Sequence, residues 1–298
     1  MYMKALALNK IDSFRFILLE YFGVAKPGII GLVVVAALTG IYFGNKGTLP
    51  DWSLITFTLL GLSFSTAGSC MLNNYFDRDI DRLMDRTSKR ALAQGIVPEK
   101  NVLYTGLIFV IASFLIHYFY VNPLTAYVTL SAAFGYVVLY GMIMKRRTPW
   151  ANQVGGIAGA LPPVIGYVAV TGYFDATAFI LFLIVAVWQQ PHALSLALKY
   201  REDYLKASIP VIPVAKGIHG TKIRIVIYTG LLFYVAALPF LYGMAGEFYF
   251  MSSFILNAFY FGYAVKFYFS QQKWNMPLFF FSIVYLVLLF GALVVDMT

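Results

Sequence analysis

Nine runs of roughly 20 apolar residues divide this chain, and that feature limits its fold more than any other. They lie near 25–44, 52–76, 101–120, 124–144, 154–174, 177–198, 223–243, 247–269 and 277–296. A helix of that length crosses the hydrocarbon layer, and a helix satisfies its own backbone hydrogen bonds where water is absent. The predicted fold is therefore all-α, a polytopic membrane protein with nine transmembrane helices in one bundle. No linker or shift in composition divides residues 1–298, so one domain is expected. Charged residues make up 12% of the chain, about half the usual share of a soluble domain. The single cysteine, Cys70, excludes an internal disulfide and a cysteine-based zinc site.

The net charge of +9 raises the question of nucleic acid, and the placement of the charges answers it. With the N-terminus inside and the spans alternating, only Lys46 of the 22 Lys and Arg residues falls on the outer side. Asp51, Asp175, Glu247 and Asp296 fall there too. This is the positive-inside pattern, and it predicts a cytoplasmic N-terminus, an external C-terminus and no nucleic-acid partner. The leading "MYMKALALNKIDSFRF" has no long apolar core and no cleavage site of small residues. It is expected to remain as a cytoplasmic lead-in, in a bacterial or archaeal cell membrane. Two long inner loops, 77–100 and 199–222, follow the second and sixth spans and carry much of the charge, and long ordered loops tend to be functional. Their separation by four helices hints at two related halves.

The first loop opens with "NNYFDRDIDRLMDR", which sets four Asp and three Arg between Asp77 and Arg86. Asn73, Asp77, Asp81 and Asp85 recur at every fourth position, so a continued helix lines them along one face. Three carboxylates and an amide on one stripe repel one another unless a cation binds them. Oxygen ligands of this kind suit Mg²⁺, which is commonly shared between carboxylates and a substrate phosphate. Arg78, Arg82, Arg86, Lys89 and Arg90 surround the stripe, and guanidinium forks match phosphate oxygens. The stripe therefore reads as a diphosphate site at a membrane edge. Asp79 and Asn74 fall off the line. The alternative is a solvated helix with salt bridges along its surface.

The pattern N-x₃-D-x₃-D in a chain of this kind resembles the first acidic motif of the UbiA-type intramembrane prenyltransferases. "DRLMDRTSKRAL" is similar to the D-x-x-M-x-R-T-x-x-R-P-L run of the protoheme IX farnesyltransferase (heme O synthase) branch, with Ala91 where that branch has Pro. "WQQPHALSLALKYREDYLKASIPVIPVAKGIHGTK", "KRRTPWANQVGGIAGALPPVIGY" and "KPGIIGL" resemble further stretches of the same branch. The resemblance implies transfer of a farnesyl group from farnesyl diphosphate to a vinyl group of protoheme IX, with addition of water. It implies an active site toward the cytoplasm, Mg²⁺ as cofactor, and membrane lipid and a heme A synthase as partners. A UbiA-type enzyme acting on an aromatic acid or quinone precursor is the nearest alternative. A transporter is disfavoured because the charges gather at one face and not at the midplane.

In the second loop, His192, Lys199 and Asp203 would share a face if the sixth helix continued through them. UbiA-type enzymes carry a second Asp-rich motif here, whereas this chain has only Glu202 and Asp203. Asp203 is expected either to hold a second Mg²⁺ or to orient Lys199 or Lys206. His192 reads as a heme ligand or orienting group, or as a packed helix-end histidine. His219 is a weaker heme candidate, and His117 is expected to be structural. Lys145, Arg146 and Arg147 would hold diphosphate or heme propionates, or anchor the inner face; Tyr140 could reach the same mouth. The small residues of "GGIAGALPP" are expected to permit close helix packing. Asn73, Asp77, Asp81 and Asp203 are thus the candidate metal ligands. Asp77, Asp81, Arg86, Lys199 and Asp203 are the candidate catalytic groups. Arg78, Arg82, Arg90, Lys145, Arg146, His192 and Lys206 are the candidate substrate-binding residues.

Overall fold

The computed structural model of the chain describes residues 19–297, so the expected N-terminal lead-in lies outside the described residues. Among them are nine helices long and apolar enough to cross a membrane. These spans are Pro27–Gly44, Trp52–Asp81, Glu99–Tyr120, Pro123–Met144, Ala151–Thr171, Ala176–Lys199, Gly217–Leu241, Glu247–Phe269 and Met276–Val295. Their starts follow ordinary capping chemistry. The side chains of Asn122, Asp175 and Asn275 accept the backbone N–H of Thr125, Ala178 and Leu278, which relieves donors a helix start leaves orphaned. Proline, which has no N–H to lose, enters the first turn after Lys26, Asn122, Leu161 and Asn275.

Four spans depart from the expected uniform helix, and each departure bears on the site. The second helix continues beyond its apolar run to Asp81, then gives way to a chain of turns. The fourth changes to π-helix over Gly135–Met144, so that Lys145 N–H bonds the Tyr140 carbonyl five residues back. Such segments often mark functional sites. The fifth breaks at Ala160–Leu161, ahead of Pro162 and Pro163, into Ala151–Gly159 and Pro162–Thr171. The sixth stops at Tyr200, and a separate short helix, Arg201–Lys206, follows.

The first span lies backbone to backbone on the second half of the fifth. A Cβ at Gly40 would overlap the Pro163 carbonyl, and one at Gly166 would overlap the Ala37 carbonyl. The largest core unites the fifth through ninth spans around Tyr249, Tyr260, Tyr285 and Phe267. At the end of the bundle opposite the long loops, the Asp296 carboxylate accepts the Tyr249 amide and Asp175 accepts the Tyr167 hydroxyl. The two long loops meet at the other end. Ile80 and Met84 of the first pack with Ala207, Ile209 and Val211 of the second in a small apolar cluster of their own. This cluster makes the loops one cap over the mouth of the bundle.

Candidate functional site

Asn73, Asp77 and Asp81 all ride the second helix at i, i+4, i+8, which lines their side chains along one face. All three are buried, with Asp77 and Asp81 only 1% and 2% exposed. Bare carboxylates at that depth are costly unless paired. Each is half paired. Lys145 Nζ donates to Asp77 Oδ2 at 2.5 Å, and Arg90 Nη1 donates to Asp81 Oδ2 at 2.7 Å. The second oxygens, Asp77 Oδ1 and Asp81 Oδ1, have no partner among the described residues, nor has the Asn73 amide nitrogen. Three polar groups without partners thus line one buried face, where polar groups are ordinarily hydrogen-bonded.

The π-helical register explains Lys145. It follows Tyr140 by five residues, and its ammonium stands 5.8 Å from the Tyr140 ring centre while reaching Asp77. Burial acts to lower its pKa. The Tyr140 hydroxyl and Asp77 outweigh this and hold it above the ordinary lysine value, so the side chain stays charged.

One cation at this mouth is missing from the sequence expectations. Lys26 caps the first span with φ 55°, a left-handed conformation that costs a non-glycine residue roughly 1–2 kcal/mol. It forms no ion pair among the described residues. Its electrostatic neighbours are Cys70, Arg90, Lys145 and Asp77. Burial lowers its pKa below the ordinary lysine value, Cys70 opposes this, and Arg90 and Lys145 add to the depression. Asn74, set off the ladder, fixes the approach by donating to the Val24 and Cys70 carbonyls. The sequence signal was the "KPG" at the start of the first span. Nothing in its spacing ties it to residues 50 positions away.

Other expected members of the site are directed elsewhere. Arg78 and Arg82 both turn to Glu99, at 2.9 and 3.9 Å, and Arg82 also donates to the Ala93 carbonyl. They bind the second span to the start of the third. Arg146 forks onto Asp79, both contacts at 2.6 Å, and the Asp79 hydrogen bond holds its pKa above the ordinary value. Asp85 does not extend the ladder, because the helix ends at Asp81; it accepts Lys206 Nζ at 2.5 Å instead.

The break at Tyr200 takes Asp203 off the helix that carries His192 and Lys199, so the three do not share one continued helical face. Asp203 turns to the first loop, where its two oxygens accept the backbone amides of Asp85 at 3.3 Å and Arg86 at 3.1 Å. Arg86 extends over the Tyr200 ring at 4.6 Å. Lys199 sits between the rings of Tyr200 and Trp274, at 5.5 and 5.6 Å. His192 is stacked between Trp188 and Phe279, and its Nδ1 shares a 2.7 Å hydrogen bond with Ser282 Oγ. His219 packs on Tyr268. His117 bonds the Thr58 carbonyl deep between the second and third spans.

Among the described residues, no three His, Cys, Asp or Glu side chains gather closely enough to hold a metal by themselves. The donor set at the ladder is two carboxylate oxygens and an amide, which can present its oxygen when turned. That set fits a hard cation sharing its remaining positions with phosphate oxygens and water.

A family model described as the UbiA prenyltransferase family matches residues 33–292. The protoheme IX farnesyltransferase of Aquifex aeolicus is 43% identical, over 97% of this chain and 99% of its own. That of Alcanivorax borkumensis is 40% identical, over 93% of this chain and 92% of its own. Among solved structures, a digeranylgeranylglyceryl phosphate synthase matches with a TM-score of 0.79 at 17% identity, over 94% of this chain and 98% of its own. A UbiA homologue from Archaeoglobus fulgidus bound to GPP and Mg²⁺ matches with a TM-score of 0.62 at 19% identity, over 92% and 99%.

Proposed function

The chain belongs to the UbiA prenyltransferase family, and on that premise we propose that it transfers the farnesyl group of farnesyl diphosphate to a vinyl group of protoheme IX, with addition of water, to form heme O. It is an integral, multi-pass membrane protein. The single observation that carries the chemistry is the buried pair of free oxygens, Asp77 Oδ1 and Asp81 Oδ1, each beside a carboxylate oxygen already bound to a cation. The choice of heme as acceptor is supported by the relatives' names and by near full-length identity to them.

Asn73, Asp77 and Asp81 would hold Mg²⁺. When bound, the metal supplies Lewis-acid neutralisation of the negative charge that grows on the leaving diphosphate. Lys145 and Arg90 fix the carboxylate rotamers and stand beside the same charge. Lys26 adds a cation that forms no ion pair among the described residues, and Arg86 adds a guanidinium on the turn that Asp203 holds. Together they lower the cost of breaking the carbon–oxygen bond of the diphosphate ester. Tyr136 and Tyr140, stacked at 5.7 Å, give the allylic cation π-faces. The surrounding apolar spans exclude water until the vinyl group has attacked. Lys199 and Lys206 flank the cap, and His192 offers the porphyrin an imidazole whose Nε2 has no hydrogen-bond partner among the described residues.

In this reading the site opens to the cytoplasm from a bacterial inner membrane, with the N-terminus inside and the C-terminus outside. Nearly all the basic residues lie toward the face that carries the site, which supports that orientation. One domain carries the whole reaction, and a heme A synthase is its partner for the product. The test supplies cells expressing the chain with heme and farnesyl diphosphate and reads extracted porphyrins by mass spectrometry. A farnesylated, hydroxylated heme is expected from the wild type and not from Asp77→Ala. A wild type that yields no such product, or that prenylates an aromatic acid instead, would overturn the reading.

A further inference from the structure

The sixth and ninth spans meet at a serine that no step above uses. Ser282 is fully buried, and its backbone carbonyl accepts Trp188 Nε1–H at 2.7 Å. Its hydroxyl donates to the Phe279 carbonyl at 2.5 Å and shares the 2.7 Å hydrogen bond with His192 Nδ1. The Tyr260 hydroxyl comes close to the same oxygen but lies outside hydrogen-bonding geometry.

These contacts settle where the histidine proton sits. A hydroxyl has one hydrogen and two lone pairs, whereas a carbonyl oxygen has no hydrogen to give. Two oxygens 2.5 Å apart need a hydrogen between them, so the Ser282 hydrogen is committed to Phe279. The bond to His192 then runs the other way, with Nδ1–H donating and Ser282 Oγ accepting. Nδ1 carries the proton, and Nε2 keeps its lone pair. Nε2 has no hydrogen-bond partner among the described residues. Ser282 is buried behind Nδ1, whereas His192 is half-buried, so the open edge of the ring is the one that bears Nε2. The ring is also held in plane. Trp188 stacks on it at 4.8 Å and 23°, and Phe279 at 4.5 Å and 27°.

We infer that Ser282 is a positioning residue for the porphyrin substrate: it holds His192 in the one tautomer and plane that let Nε2 ligate the heme iron. This rests on the reading of heme as acceptor given above. An iron-ligating imidazole needs a bare nitrogen, and a hydrogen bond from its other nitrogen makes that ligand more basic. A ring that cannot turn also fixes the porphyrin, because the macrocycle lies across the iron–nitrogen bond. Lys199 stands seven residues on, about 10 Å along the same helix face. Its ammonium forms no ion pair among the described residues and rests between Tyr200 and Trp274, where a propionate would meet a free cation. The two contacts together define one orientation of the porphyrin, which limits the vinyl edge that meets the allylic cation.

Porphyrin binding without farnesyl diphosphate tests this. Purified wild type, His192→Ala, Ser282→Ala and Ser282→Thr would each be titrated in detergent with heme and, separately, with iron-free protoporphyrin IX. Ser282→Ala removes only the hydroxyl, since Trp188 bonds the backbone carbonyl. The ferrous heme complex of the wild type is expected to show an iron–histidine band by resonance Raman. His192→Ala should lose that band, and added imidazole should restore ligation. Ser282→Ala should weaken heme binding by about 10–100-fold, the scale of losing a hydrogen bond behind a metal ligand, with binding of the iron-free porphyrin unchanged. Ser282→Thr, which keeps a hydroxyl, should recover the affinity. Unchanged heme affinity in Ser282→Ala overturns the inference, as does a wild-type complex without the iron–histidine band. Equal loss of both porphyrins in Ser282→Ala would make the serine a packing residue and overturn it too. A wild type that binds neither porphyrin overturns the heme-acceptor reading instead.

Discussion

The carboxylate of Asp203 accepts the backbone amide of Arg86 at 3.1 Å, across 117 positions of sequence. With the companion bond to Asp85, this fastens the second long loop onto the first. A residue expected to bind metal or to orient a lysine therefore shapes the turn that presents an arginine.

Asp203→Ala leaves two backbone donors without their partner. Each lost bond costs about 1–3 kcal/mol where the amide stays dry. Unfolding stability in detergent should fall by about 2–6 kcal/mol for the two bonds together, while the Mg²⁺ concentration needed for activity stays constant. A raised Mg²⁺ requirement with unchanged stability would instead make Asp203 a metal ligand.

The Asp77–Lys145 pair should behave as a buried couple. Lys145→Met strands a carboxylate that is 1% exposed, a change that costs about 3–5 kcal/mol. Adding Asp77→Asn to it should recover most of that stability without restoring activity, since the carboxylate charge proposed to hold Mg²⁺ is lost as well. Asp77→Asn alone should lower kcat by about 10²–10³-fold. A double variant no more stable than Lys145→Met would break this coupling.

The neighbouring basic residue should matter far less. Arg146 is committed to Asp79, and both side chains are substantially exposed, at 39% and 60%. Arg146→Ala should cost at most about 1 kcal/mol, the scale of a surface ion pair, and reduce kcat/KM by less than about ten-fold. Steady-state kinetics beside Lys145→Met would separate the two.

Lys26 should trade stability against binding. Lys26→Gly removes a strained left-handed conformation and a half-buried charge, though glycine gives back about 0.5–1 kcal/mol of chain entropy. Stability should hold or rise by up to about 1 kcal/mol. The KM for farnesyl diphosphate should rise about ten-fold, as for loss of one charge-assisted contact. An unchanged KM would remove Lys26 from the site.

Much of this was legible in the sequence for physical reasons that act locally. Span length, caps and the i+4 spacing of Asn73, Asp77 and Asp81 depend only on neighbours within one helix. The break of the ladder before Asp85 was less legible, because charge spacing says nothing about where a helix ends. The fifth span reads in the sequence as one helix over 154–174 although Pro162 and Pro163 offer a signal for its break, whereas the π-helix before Lys145 has no comparable signal.

The chain by itself determined nine apolar helices, a basic loop face and a line of metal-type oxygens on the second span. Only the tertiary structure decided which cation met which carboxylate. Arg78, Arg82, Arg90, Lys145 and Arg146 look alike as charges in a sequence. Helix rotation sent two of them to Glu99, one to Asp81, one to Asp77 and one to Asp79. Periodicity fixes a face within a helix, but partners depend on how separate helices turn against one another. That is set by close packing, as where Gly156 and Gly159 admit Gln189 between the fifth and sixth spans.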